Sequence, residues 1–324
     1  MAVAQTNGSV PVGASITATD DSPSWLSASG EFAFGFHQME NKDYFLLSIW
    51  YEKIPEKTVV WYAMGEDPTD DPAVSRGSKV ELTDDRGLLL SDPQGNLIWT
   101  SRICLGVMND TGNFVLQNKN SDRLWESFTH PTDTLLPTQI VEAGGIVSSQ
   151  RIGDQLFTGR FQLALLDDGN LVLNSMNLPT KVAYDAYYTS GTYDASNSSN
   201  SGYQLIFNES GYMYIPRRNG PTEDLTKKQH FLLLHFYHRA TLNFDGVFTQ
   251  YSYPKTSSSN RSRAKISWKK KLPLSNGKLD SGFNGKTFIK FKKGYLPPGN
   301  PGLRFPETKT GKGHQVHHEN SALG

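Results

Sequence analysis

The sequence predicts an all-β protein, and three observations carry that prediction. Tyr, Phe and Trp are plentiful while Gly and Pro recur along the chain, a composition that suits short strands and tight turns rather than long helices. Residues 87–99 and 113–125 align without a gap at a period of 26, each block a strand, a turn and a second strand closed by Trp. A later set of units, 161–173, 203–214 and 237–248, repeats the order strand, turn, strand about Gly169, Gly211 and Gly246.

Taken in order, residues 1–13 are a polar N-terminal segment in which Met1-Ala-Val-Ala-Gln5 resembles the small-residue end of a leader peptide. Phe32-Ala-Phe-Gly-Phe36 alternates large and small residues and predicts a strand, followed by strands at 44–51 and 57–62. Ile49 precedes Trp61 by twelve residues, as Gly87 precedes Trp99 and Asn113 precedes Trp125. Three hairpin units that each end in Trp predict a pseudo-threefold set of small sheets whose Trp side chains meet in a common core, because one such sheet alone buries too little apolar surface. Residues 125–137, Trp-Glu-Ser-Phe-Thr-His-Pro-Thr-Asp-Thr-Leu-Leu-Pro, read as a strand end pinned into that core and then a tight corner. Ser127, His130 and Asp133 lie too close together in this Pro-punctuated stretch to make a nucleophile, base and orienter, and are read as local hydrogen-bonding groups. The second set of hairpins lacks the closing Trp, and its Ser/Asn-rich stretch 196–201 is a surface loop.

From Lys255 onward the periodicity fails. Residues 256–262 read as a linker, 268–278 and 286–291 as a candidate strand pair, and 294–324 as an irregular Pro-, Gly- and Lys-rich end. The formal net charge of +0 hides an asymmetry: residues 255–324 hold fifteen Lys and Arg against three acids, and residues 1–254 hold 17 against 29. The basic tail is read as solvated, with no nucleic-acid partner expected. His314, His317, His318 and Glu319 have ligand side chains but no scaffold, so no metal site is assigned. Cys104 stands alone, which excludes an internal disulfide and a Cys-based zinc site. Sequons at Asn7, Asn109, Asn197, Asn208 and Asn260 point to the secretory route. No apolar run reaches membrane-spanning length, so no transmembrane segment is expected.

Glu31-Phe-Ala-Phe-Gly-Phe36, Ser48-Ile-Trp-Tyr51, Thr58-Val-Val-Trp61, the Gly-Asn-Leu-Ile-Trp and Gly-Asn-Phe-Val-Leu blocks and residues 125–137 together resemble the extracellular part of plant G-type (bulb-type lectin, S-locus-like) receptor-like serine/threonine kinases. The resemblance spans about residues 14 to 254. It implies a bulb-lectin β-prism II domain at 14–140, a second β-prism-like lobe at 141–254, and a basic, largely irregular tail at 255–324 in which residues 268–291 resemble the end of a PAN module. It implies an extracellular or cell-surface location and roles in self-recognition and defence signalling. The family's kinase is absent from this chain: the sequence has no Gly-rich nucleotide loop leading to a β3-type lysine, no H-R-D and no D-F-G, so neither an enzyme nor a cofactor is expected.

The mannose site of bulb lectins is written Q-x-D-x-N-x-V-x-Y, and residues at period two can line one shallow trough. The best match is Leu166, Asp168, Asn170, Val172 and Asn174, which makes Asp168, Asn170 and Val172 the carbohydrate-binding candidates. Asn109, Thr111, Asn113, Val115 and Gln117 keep only Asn113 and Val115, a degenerate trough, and a glycan on Asn109 would stand in it. Thr83, Asp85, Gly87, Leu89 and Ser91 keep only the Asp. Each hydrogen bond to a neutral sugar nets only about 0.5–1.5 kcal/mol, so mannose binding is expected to be weak or lost. The expected partner is a glycan or cell-surface glycoprotein. The alternative is a protein-interaction scaffold, a soluble decoy or co-receptor that pairs with full-length receptor-like kinases without binding sugar.

Overall fold

The computed structural model describes residues 8–39, 43–64, 71–101, 105–118, 120–150, 158–177, 180–226, 236–255 and 264–267. All belong to the first of two compact units, residues 1–277; the second is residues 278–324. Asn7, Asn260, Cys104, the candidate strand pair 268–278 and 286–291, and the tail histidines lie outside the described residues.

The described residues form antiparallel sheets, with single 3-10 turns at Ser127–Thr129 and Ser198–Asn200. Sheet I has the order Ser9–Val10, Leu105–Met108, Phe114–Gln117, Arg123–Glu126. Sheet II has Leu97–Ser101, Gly87–Ser91, Lys79–Thr83, Ser15–Thr17, and sheet III has Ser24–Leu26, Phe32–Gln38, Tyr44–Tyr51, Val59–Tyr62, with Ala73–Ser75 added beside Tyr44–Tyr51. Sheet IV has Thr134–Leu135, Phe236–Leu242, Phe248–Pro254, Ala264–Ser267. Sheet V has Ile140–Glu142, Gln204–Phe207, Met213–Pro216, Thr222–Asp224, and sheet VI has Ile146–Gln150, Thr158–Leu165, Leu171–Asn177, Val182–Ala183, with Tyr188–Thr189 against Leu171–Asn177.

The chain follows the same path twice. Three short lead strands enter sheets I, II and III in turn, and the meanders then complete III, II and I; three more enter IV, V and VI, and the meanders complete VI, V and IV. Sheets I to III thus make one β-prism and sheets IV to VI a second. The lead strands Ser9–Val10 and Thr134–Leu135 are two residues long, too short for any periodic signal, which is why the sequence pattern misses them. Thr134–Leu135 pairs with Phe236–Leu242, so the corner after Trp125 begins the second prism before residue 140.

Each prism closes on its own apolar cluster. The first stacks Trp25 on Phe34 (ring centroids 5.4 Å apart) and Phe34 on Phe114 (4.3 Å), with Leu47, Ile49, Val80, Leu82 and Leu88 around them. The second gathers Leu163, Leu165, Leu171, Phe207, Met213, Ile215, Leu242 and Phe248. Side chains buried to this degree each contribute about 1.5–3 kcal/mol of transfer free energy, which short strands cannot supply singly. Trp61, Trp99 and Trp125 do meet, Trp125 lying 5.7 Å edge-to-face from each of the other two. Trp61 belongs to the buried core, stacked on Phe34, while Trp99 and Trp125 are half-buried and pack against it; each of the three sits on an edge strand of its sheet.

Candidate carbohydrate site

The predicted trough begins in a turn that the fold uses seven times among the described residues. In each, the first residue's N–H donates to the carbonyl of the fifth, and the fourth residue's N–H donates back to the carbonyl of the first; the turns start at Asp92, Asn109, Asn118, Leu166, Asn208, Arg217 and Asn243. The fourth residue has positive φ, a conformation that costs a Cβ-bearing residue roughly 1 kcal/mol or more, and it is Gly at every turn but Ser121. At Asp92, Asn118 and Asn208 the side-chain oxygen also accepts from the backbone N–H two and four residues on, which makes the turn chemistry local.

At Leu166–Asp167–Asp168–Gly169–Asn170 this geometry sets where each candidate goes. Asp168 is exposed in the turn, and its carboxylate accepts the Asn170 N–H at 2.9 Å. Asn170 is buried, and its amide oxygen accepts from Ser190 Oγ at 3.1 Å and from the Gly191 N–H at 3.0 Å. Gly169 lies against Gly202, with a Cβ placed on it only 2.1 Å from the Gly202 carbonyl, and Thr192 Oγ1 donates to the Gly169 carbonyl at 2.6 Å. Val172 is buried within the sheet, and Asn174 Nδ2 donates to the Tyr184 carbonyl at 2.8 Å. Of the candidates, Asp168 alone offers solvent an exposed polar group, while Asn170 ties the turn to the Ser190–Thr192 segment.

The second trough is built in the same way. Asn113 is buried; its Nδ2 donates to Glu126 at 2.6 Å, and its oxygen accepts from Ser127 Oγ at 3.1 Å and the Phe128 N–H at 3.2 Å. Val115 is fully buried. These bonds anchor residues 125–137: Ser127 Oγ also accepts the Phe114 N–H, Trp61 Nε1 donates to the His130 carbonyl at 2.8 Å, and the His130 ring stacks on Trp125 at 5.2 Å. Ser127 and His130, whose Nδ1 faces Thr129 and the Glu126 carbonyl, therefore have separate partners. In the third copy, Thr83 Oγ1 donates to the Gly87 carbonyl, Asp85 pairs with Arg86 on the surface, and Leu89 is buried.

Among the sequons, Asn197 is exposed and its side-chain oxygen accepts the Ser199 hydroxyl at 2.6 Å. The Asn208 oxygen is held by two backbone N–H groups of its own turn, and Asn109 is half-buried at the head of the second trough. Among the described residues there is no group of three or more His, Cys, Asp or Glu side chains that could hold a metal ion, and no helix long and apolar enough to cross a membrane.

Comparison with known proteins finds relatives over most of the chain. The model of the D-mannose binding lectin family matches residues 58–151. The chain is 40% identical over 261 residues to the G-type lectin S-receptor-like serine/threonine-protein kinase LECRK2 of Oryza sativa subsp. indica, covering 78% of this chain and 31% of that protein. It is 47% identical over 227 residues to the kinase RLK1 of Arabidopsis thaliana in the same class, covering 66% of this chain and 27% of that one. The chain thus spans less than a third of the length of these relatives. Similar solved structures include a Colocasia esculenta agglutinin with mannose bound (20% identity, TM-score 0.27, 40% of this chain and 96% of that one). Another is the two-domain, fetuin-binding agglutinin of Scilla campanulata (15% identity, TM-score 0.28, 78% of this chain and 95% of that one). Over most of its length the chain is a relative of the lectin-bearing part of plant G-type lectin S-receptor-like serine/threonine-protein kinases, without their kinase motifs.

Proposed function

We propose that this chain is a lectin-like recognition module acting at the cell surface or outside the cell, in defence or cell-surface signalling, with mannose affinity that is weak or lost. The two prisms, expected at residues 14–140 and 141–254 and with the second beginning at the Thr134–Leu135 lead strand, act as its two lectin-like domains, and Asp168, Asn170 and Val172 mark the trough nearest to a working sugar site. The observation that carries the reading is the internal use of both trough amides: the oxygens of Asn170 and Asn113 already accept two hydrogen bonds each from their own fold. An amide so engaged has less to offer a sugar hydroxyl, and at about 0.5–1.5 kcal/mol per bond a monosaccharide has no surplus to spare. Glycans on Asn109, Asn197 and Asn208 would decorate the surface, the first of them at the second trough. The partner is a glycan or glycoprotein, and full-length receptor-like kinases are candidates for pairing at the same membrane.

The test is retention on mannan together with a glycan array, using the secreted chain alongside Asp168→Ala. The expected outcome is at most weak retention, abolished by the substitution. Tight retention that Asp168→Ala leaves unchanged would overturn both the site and the weak-affinity reading. No retention on any glycan from a folded chain would move the search to protein partners.

A further inference from the structure

A different cluster lies on a face of sheet IV. In Phe236–Leu242 and Phe248–Pro254 the direct cross-strand partners are Tyr237 with Tyr253 and Arg239 with Tyr251. Alternation along both strands therefore puts three phenol rings and a guanidinium on one face. Tyr51 comes up against them from sheet III, its ring 5.1 Å from Tyr237 and its hydroxyl donating to the His238 carbonyl at 2.7 Å. The turn that follows Tyr51 closes the rim with Ile54 and Glu56, leaving a cavity of about 140 Å³. That is room for several waters, or for one ring rather than a chain of them.

Arg239 is the group in this cavity that asks for a ligand. Its guanidinium lies flat over Tyr251, 3.9 Å from the ring centroid, and one N–H donates to Thr241 Oγ1 at 2.6 Å. Among the described residues no carboxylate forms an ion pair with it, and its remaining N–H donors have no acceptor. Burial holds its pKa below the usual value, partly offset through space by Tyr251, Tyr51 and Asp133. A half-buried cation with a rigid fork of unused donors is matched by a planar carboxylate, which takes two parallel hydrogen bonds. The phenol walls supply flat apolar faces for the ring C–H groups of a sugar, while the Tyr51 and Tyr251 hydroxyls are already donated to the His238 carbonyl and to Asn243 Oδ1.

We propose that this crevice is a second binding site, specific for a carboxylated sugar such as a uronic acid, with its carboxylate on Arg239 and its ring against Tyr237 and Tyr253. The site is separate from the hairpin troughs and does not depend on whether they bind mannose. A neutral hexose would leave the guanidinium unpaired, so selection for the acidic sugar follows from the cost of a buried unmatched charge.

Calorimetric titration of the whole chain with a galacturonic acid trisaccharide, a neutral galactose trisaccharide and a short peptide with a free C-terminal carboxylate tests this. Saturable binding of the uronate is expected, at least about tenfold tighter than the neutral sugar, the worth of one charge-assisted hydrogen bond. Arg239→Gln should weaken the uronate by about tenfold or more by the same reasoning. Tyr253→Ala, at a half-exposed position, gives a second reading if Arg239→Gln does not fold, and it should weaken the uronate severalfold. Asp168→Ala should leave uronate binding unchanged, which separates this site from the trough. Equal affinity for acidic and neutral sugars, tighter binding of the peptide, or uronate binding untouched by the crevice substitutions would overturn the proposal.

Discussion

At the scale of single residues, Asn170 shows how a side chain from a sugar-binding pattern is reused by the fold. Its oxygen joins the turn at Gly169 to Ser190 and Gly191, and Asn113 plays the matching part for Ser127 and Phe128. A buried amide of this kind is a structural bond first. Asn170→Ala should therefore lower stability by about 1–3 kcal/mol, because Ser190 and the Gly191 N–H lose their acceptor. Urea unfolding measures it, and an unchanged midpoint would return Asn170 to a purely ligand-facing role. These candidates were picked out by their match to the mannose pattern of the resembled family. Their hydrogen-bond partners were not, because Asn170 and Ser190 are twenty residues apart and Ser190 carries no motif.

At the scale of elements, the recurring five-residue turn explains the distribution of glycine. The sequence placed turns at Gly169, Gly211 and Gly246, and these, like Gly95 in the turn of the 87–99 hairpin, have positive φ. What differs is the surroundings. A Cβ on Gly95 meets nothing within 4 Å, whereas on Gly246 it falls 2.8 Å from the Phe161 ring, and on Gly169 it falls 2.1 Å from the Gly202 carbonyl. Gly95→Ala should cost only the left-handed strain, about 1–2 kcal/mol. Gly169→Ala adds a clash with backbone that cannot rotate away, and should cost at least about twice as much. Thermal melts of the two variants compare them directly, and equal losses would mean that the turn gives way without disturbing its neighbour.

At the scale of the whole molecule, the corner at residues 130–137 ties the two prisms together, and Asp133 sits in it. Its carbonyl accepts the Leu242 N–H at 2.8 Å, its carboxyl accepts the Thr134 hydroxyl at 3.0 Å, and Arg239 lies near enough to act through space. Burial pushes its pKa up to about 6, against the hydrogen bonds from its neighbours and the Arg239 charge. The folded value lies above the unfolded value of about 3.9, so the native state favours the protonated acid. Its favourable contribution is complete below about pH 4 and is lost as pH rises through about 6, at a cost of about 2–3 kcal/mol by pH 7.5. Asp133→Asn should then be more stable than the parent at pH 7.5 and equal to it near pH 4. Denaturant midpoints across that range give the difference, and parallel profiles would exclude a desolvated Asp133.

The sequence by itself determined the all-β class, the hairpins and their turns, and the three tryptophans. These follow from local signals: a period of two along strands, glycine where φ is positive, and a repeat of 26 residues. Only the tertiary structure decided the doubled order of entry into the sheets, the edge position of the tryptophans and the Arg239 crevice. Two-residue lead strands carry no periodicity, and Tyr51 meets Tyr237 across 186 positions of chain, a contact that packing creates and spacing cannot encode.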